Sequence, residues 1–204
     1  MKKSTKRILI PLFAIIIIVS MCVSAVAATK YTVVKGDSMW KIAVKYEVGL
    51  SEIISANPQI KNPDLIYPGD VLNIPTLDEN VLNFENEVVT LVNNIRVNYG
   101  LKPLLINWQL ARVARYKSTD MRDNKYFSHT SPTYGSPFDM IRAFNIKFSH
   151  AGENIAMGYT TPKAVVDAWM KSPGHKANIL NENFTQIGVG YVQNGNYWTQ
   201  MFVG

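Results

Sequence analysis

His129, His150 and His175 are the only imidazoles in this chain, and Cys22 is its only thiol. An imidazole changes charge near neutral pH, carries protons and ligates metals. A thiolate is a nucleophile or a metal ligand. No HExxH motif occurs, and no Ser-His-Asp pattern is recognisable. Ser128 directly precedes His129, but neighbours in an extended segment point to opposite faces, which argues against a Ser–His couple there.

The thiol falls in a leader. Lys2, Lys3, Lys6 and Arg7 form a positive start, Ile8 to Val19 an apolar run broken only by Pro11, and Ala25-Val26-Ala27 supplies the small residues a signal peptidase needs. Residues 1–27 therefore read as a secretory signal peptide, with an apolar run shorter than the roughly 20 residues of a membrane span. The alternative is an uncleaved N-terminal anchor; membrane contact is expected only through this segment. A lipoprotein signal would need a small residue before Cys22, and Met21 stands there. The rest of the chain then has no cysteine, which excludes disulfides and thiol catalysis. The composition, 47% hydrophobic and 18% charged, is globular. The net charge of +6 falls to +2 without the four leader cations, from 17 basic and 15 acidic residues. Nothing in that balance favours nucleic acid.

Residues 30–76 read strand, helix, helix, strand. Tyr31 to Val34 is β-branched, Gly36-Asp37-Ser38 breaks it, and Asp37 or Ser38 can cap a helix that buries Trp40, Ala43 and Val44. Ser51 is expected to cap a second helix carrying Ile53 and Ile54, which Asn57-Pro58 ends. Pro68-Gly69 turns the chain into Val71–Ile74. With YTVVKGDSMW, ISANPQI and LIYPGDVLNIP in this order, the segment resembles the LysM domain. The resemblance implies binding of N-acetylglucosamine-containing glycan, peptidoglycan or chitin. The implied groove lies between Gly36, Asp37, Ser38 and Met39 on one side and Pro63, Asp64, Leu65 and Ile66 on the other. Trp40 is expected in the core rather than under a sugar ring. A single module implies modest affinity, and there is no second copy to add avidity.

A short polar linker, 77–83, is expected to precede a second domain at 84–204. Phe84, Val88, Leu91, Val92 and Ile95 recur at helical spacing up to Gly100. Asn107 caps a second helix, Ser136-Pro137 a short third, and Thr161-Pro162 opens a fourth with Trp169 inside. QIGVGYV, Asn194-Gly195 and YWTQMFV form a hairpin. The fold class expected for the whole chain is α+β: a small βααβ unit and an α-β-α sandwich with a mostly antiparallel sheet.

The segments LVNNIRVNYGLKPL, YFSHTSP, AGENIA, AVVDAWMKSPGHKANIL and FTQIGVGY make this domain similar to the CAP superfamily, in its bacterial, cysteine-free, SCP-like extracellular branch. The resemblance implies a cleft of two histidines and two acids. His129, Glu153 and His175 match three of these, while Ser172 stands where the fourth, an acid, is usual. Two imidazoles and a carboxylate suit a divalent metal such as zinc, ligated by His129 and His175; no other cofactor is implied. They equally suit a polar cluster in which Glu153 fixes a histidine tautomer. Asn154 and Asn178 are expected to pin backbone, and His150 to face solvent. Thr133 removes another acid where bacterial relatives often have aspartate. Trp108, Trp169 and Trp198 are expected in the core.

Two functions follow. In the first, a secreted, wall-associated, non-enzymatic protein is held on vegetative wall or spore peptidoglycan and its cleft receives an unidentified ligand or protein partner. In the second, a wall hydrolase works through His129, Glu153 and His175 around a metal. The missing acid and nucleophile favour the first.

Overall fold

A computed structural model describes residues 28–204; the signal segment 1–27, with Cys22, lies outside the described residues. β1 (Ala28–Thr32) and β2 (Val71–Pro75) pair antiparallel, with α1 (Met39–Lys45) and α2 (Leu50–Ala56) between them in sequence. This is the expected βααβ order. Its core gathers Val33, Met39, Ile42, Ile53, Leu72 and Ile74. Asn57 ties α2 to β2: its Nδ2 donates to the Ile53 and Asn73 carbonyls at 2.7 and 2.8 Å, and its Oδ1 accepts from Asn73 N–H at 2.7 Å.

Two expectations fail here, one by helical phase and one by where the helix starts. Ser38 accepts from Lys41 N–H at 3.2 Å and so starts α1 on Met39. The inward set is then Met39, Ile42 and Ala43. Trp40 is one position out of phase and 63% exposed, with Val44 exposed beside it. Ser51 is not the cap of α2; Gly49 holds that position, and Ser51 bonds Glu52 within the helix.

Only Thr76, Leu77 and Asp78 separate β2 from α3 (Glu79–Asn98), because Asp78 accepts from Asn80 N–H at 2.8 Å and starts the helix inside the expected linker. There follow β3 (Leu105–Ile106), α4 (Trp108–Asp123), α5 (Pro137–Ala143), β4 (Ala151–Met157), α6 (Pro162–Lys171), α7 (Pro173–Ile179), β5 (Gln186–Val192) and β6 (Tyr197–Val203). The sheet order is β3-β5-β6-β4. The β5–β6 and β6–β4 pairs are antiparallel, and β3 adds a two-residue parallel edge.

Strand alternation builds the sandwich. Ile187, Val189, Tyr191, Trp198 and Phe202 face α3 and α6, while Met201 and Val203 face α4 and α5. Trp169 and Trp198 are fully buried, as expected, and Trp108 is half-buried. On the α4 face, β5 presents Gly188 and Gly190. A Cβ there would lie 2.2 Å from Ala111 N and 2.1 Å from Arg115 N. Glycine thus lets α4 lie backbone-to-backbone on the sheet. Ser118 fixes the contact, bonding the Gly190 carbonyl at 3.0 Å and Thr199 Oγ1 at 2.9 Å.

Candidate functional site: a histidine cleft and a glycan groove

β4 positions the cleft. Glu153 and Asn154 are adjacent on this strand, so their side chains serve opposite faces. Glu153 reaches the α4 side, where its Oε1 lies 2.7 Å from His129 Nδ1. Nδ1 is thus the ring nitrogen taken up by the carboxyl group, with the donor and acceptor roles set by the tautomer. The Glu153 side chain is 2% exposed and that of His129 53%. Asn154 Nδ2 donates to the His175 carbonyl at 3.1 Å and to Gln200 Oε1 at 2.9 Å. Asn178 Nδ2 donates to Asn154 Oδ1 at 2.8 Å and to the Glu153 carbonyl at 3.1 Å. These bonds dock α7 on β4 and so place His175. Arg96 secures the far end of α7, its Nη1 donating to the Ile179 and Asn181 carbonyls at 2.7 and 2.9 Å. Burial pushes the His175 imidazole below its usual pKa, and the charge of nearby His129 adds to the effect. His150 is exposed, and its backbone pairs with Gly204.

The sequence reading missed the floor of this cleft. Lys117 on α4 is fully buried, and its ammonium donates to the carbonyls of Ser128 and His129, both at 2.8 Å, and to Tyr126 Oη at 3.1 Å. Burial lowers its pKa, against which the carboxylates of Glu153 and Asp120 act. Asp120, one turn on, accepts from Tyr126 Oη, and at 2.7 Å from Ser131 Oγ, Thr133 Oγ1 and Asn124 Nδ2. Burial alone would raise its carboxyl; these bonds hold it below the usual range. Thr133, where an acid was missed, therefore bonds an acid arriving from α4. The spacing of Lys117 and Asp120 puts both on one helix face. No motif marks them, because each is an ordinary surface residue type until the loop folds over it.

The donors offered to the metal that the resemblance implies are the His129 and His175 imidazoles, with the Glu153 carboxylate behind the first. Among the described residues, no three His, Cys, Asp or Glu side chains are grouped to hold an ion. Glu153 engages His129 Nδ1, so Nε2 is the ring nitrogen left for a ligand, and the Lys117 ammonium acts on the same carboxylate. Glu153 Oε2 is buried without a hydrogen-bond partner, as is Gln200 Nε2, so the carboxylate is oriented by one bond only. Beside His175 opens a groove of about 360 Å³ lined by Phe127, Met157, Tyr159, Trp169 and Ser172. Ser172, in the place of the fourth acid, joins α6 to α7. The cleft thus presents an imidazole pair beside an apolar groove, suited to binding a partly apolar ligand.

In the small domain the residues proposed as glycan contacts divide. Asp37 accepts from Tyr31 Oη at 2.7 Å and from Val34 N–H at 2.9 Å, which fixes the β1–α1 loop. Those bonds, Val34 first, lower its carboxyl pKa. Gly36 takes φ +93°, a left-handed conformation suited to glycine. Met39 is 3% exposed and belongs to the core cluster against which Ile66 packs. Ser38, Asp64 and Leu65 are exposed, Pro63 and Ile66 half-buried. Trp40 and Tyr67 add exposed aromatic rings next to these loops in sequence.

The model of the Cysteine-rich secretory protein family matches residues 89–204, and that of the LysM domain residues 31–75. This chain belongs to the Cysteine-rich secretory protein (CAP) family and carries a LysM domain ahead of its CAP domain. YkwD of Bacillus subtilis (strain 168) is 59% identical over 121 residues, 59% of this chain and 47% of that protein. The membrane protein YlbC of the same strain is 34% identical over 168 residues, 78% of this chain and 48% of that protein. The chain thus spans about half the length of these curated relatives. The crystal structure of an extracellular protein containing an SCP domain from Bacillus anthracis str. Ames superposes with a TM-score of 0.59 at 35% identity, covering 67% of this chain and 47% of that one.

Proposed function

We propose that this is a secreted cell-envelope protein which LysM holds on N-acetylglucosamine-containing glycan, peptidoglycan before chitin, while the CAP cleft binds a ligand or partner without cleaving it. The observation that carries the non-catalytic reading is the internal engagement of the cleft: Glu153 holds His129, and Lys117 supplies the buried cation. A nucleophile with an adjacent base is missing from the described cleft, and hydrolysis needs one or a metal-activated water. The LysM match supports the glycan, whose acetamido groups suit backbone donors in the loops at 36–39 and 63–66. The 1–27 segment supports export.

A peptidoglycan pull-down tests the anchoring. Protein from Ala28 onward is expected in the pellet, and the same protein lacking residues 28–76 in the supernatant. Equal pelleting of both would refute LysM as the anchor. Within LysM, Trp40→Ala is expected to weaken glycan binding about 3- to 10-fold, since an exposed ring contributes roughly 0.5–1.5 kcal/mol by stacking. Its stability should change little, because Trp40 lies outside the core. Unchanged affinity in a chitooligosaccharide titration would remove Trp40 from the binding surface.

A further inference from the structure

α4 has a second face. Lys117 and Asp120 point to the cleft; Arg112 and Tyr116, one turn apart, reach the LysM domain, while Arg115 and Thr119 line the groove beside them with the Arg115 guanidinium held by Glu85 of α3. There Glu52 of α2 receives a clasp. Arg112 Nε donates to Glu52 Oε1 at 2.5 Å, and Nη2 to Oε2 at 2.7 Å and to Ser51 Oγ at 3.0 Å. Tyr116 Oη donates to the same Oε1 at 2.9 Å. The guanidinium lies over the rings of Tyr116 and Phe144, 5.3 and 5.0 Å from their centroids, so its plane is fixed before Glu52 arrives. Burial would raise the Glu52 carboxyl; the bonds from Arg112, Ser51 and Tyr116 outweigh it and hold the group ionised. Both side chains are about three-quarters withdrawn from water, at 22% and 28% exposure. An isolated surface ion pair fixes little, but a bidentate pair with two further donors is a different case.

Gly49 makes room for the clasp. A Cβ there would stand 1.8 Å from Glu52 Oε2 and 2.3 Å from the Arg112 guanidinium carbon, although its backbone, φ −74°, accepts any residue. Around the clasp, Val48, Pro75 and Leu77 line an interdomain groove of about 300 Å³. None of the residues proposed for glycan contact or for the cleft takes part.

We propose that α4 is a docking surface whose partner is this chain's own LysM domain: the Glu52 clasp joins the two domains into one body, leaving glycan groove and cleft open at a fixed separation. A wall strand held by LysM would then meet the cleft in one orientation, set by the helix that also pins the His129 loop. The docking stands on its own contacts and does not depend on the ligand of either site.

Backbone ¹⁵N relaxation on the protein from Ala28 onward reads this directly. Residues 28–75 and 79–204 are expected to share one rotational correlation time. Arg112→Glu should separate them, the LysM amides tumbling about twofold faster, as expected of a small domain on a loose tether. Exchanging the charges, Glu52→Arg with Arg112→Glu, should restore most of the single value. Gly49→Ala should separate the domains with every charge retained. If Arg112→Glu fails to fold, Glu52→Gln and Gly49→Ala carry the same readout from the LysM side. Two correlation times in the unaltered protein would overturn the proposal, and so would a single one that survives all these variants.

Discussion

Gly190→Ala is expected to destabilise the protein by about 3 kcal/mol, seen as a fall in melting temperature of roughly 6–12 °C. A strand ordinarily gains from such a change, because alanine loses less backbone entropy than glycine. Here the added carbon would meet Arg115 N at 2.1 Å and the Ala114 carbonyl carbon at 2.2 Å. Those are helix backbone atoms, so no side chain can turn aside; α4 must lift off the sheet. Lifting it breaks the Ser118 bonds to Gly190 and Thr199 and draws Lys117 from beneath His129. Gly174→Ala is the control. No atom lies within 4 Å of its Cβ and the position is helical, so stability should hold or rise slightly. Equal melting temperatures for Gly190→Ala and the parent would mean that the helix is not seated on the sheet in this way.

Lys117→Met should cost about 3–5 kcal/mol. The replacement keeps the aliphatic stem and removes the ammonium. The Ser128 and His129 carbonyls and Tyr126 Oη lose their donor in a buried setting, each loss costing roughly 1–3 kcal/mol before relaxation. Glu153 is left as a buried carboxylate without its nearby cation, the case in which one partner of a buried charge pair is removed. Adding Glu153→Gln removes the second charge, so the double variant should recover part of the loss in urea denaturation, a coupling of at least about 0.5 kcal/mol. Strict additivity would show that Lys117 and Glu153 act independently and that the cleft's charge balance has been misread.

The outlines were legible in sequence because periodicity reports burial. The βααβ order, the long third helix with Val88 and Val92 inside, the Thr161 cap and the closing hairpin all appear where pattern and turn residues placed them. The α1 face was misread because Trp40, Ala43 and Val44 form as good an apolar stripe as Met39, Ile42 and Ala43. Only the Ser38 cap decides between the two phases. In the cleft, motif residues gave His129, Glu153 and His175, and the structure brings them to one region. Lys117 and Asp120 were invisible because their partners lie in an irregular loop up to 13 positions on, which no periodicity places, and the Glu52 clasp because its partners stand 60 to 64 positions apart. Charged residue types carry no sign of burial until the fold supplies the neighbours.

The central claim is that LysM delivers a binding cleft, not a hydrolytic one, to the wall. The most direct test incubates purified peptidoglycan sacculi with the protein from Ala28 onward, with and without added zinc, and measures soluble muropeptides and free amino groups. Bound protein and no release above buffer are expected in either condition. Release that is lost in His175→Ala, while that variant still pellets with the sacculi, would contradict it and make the cleft an active site.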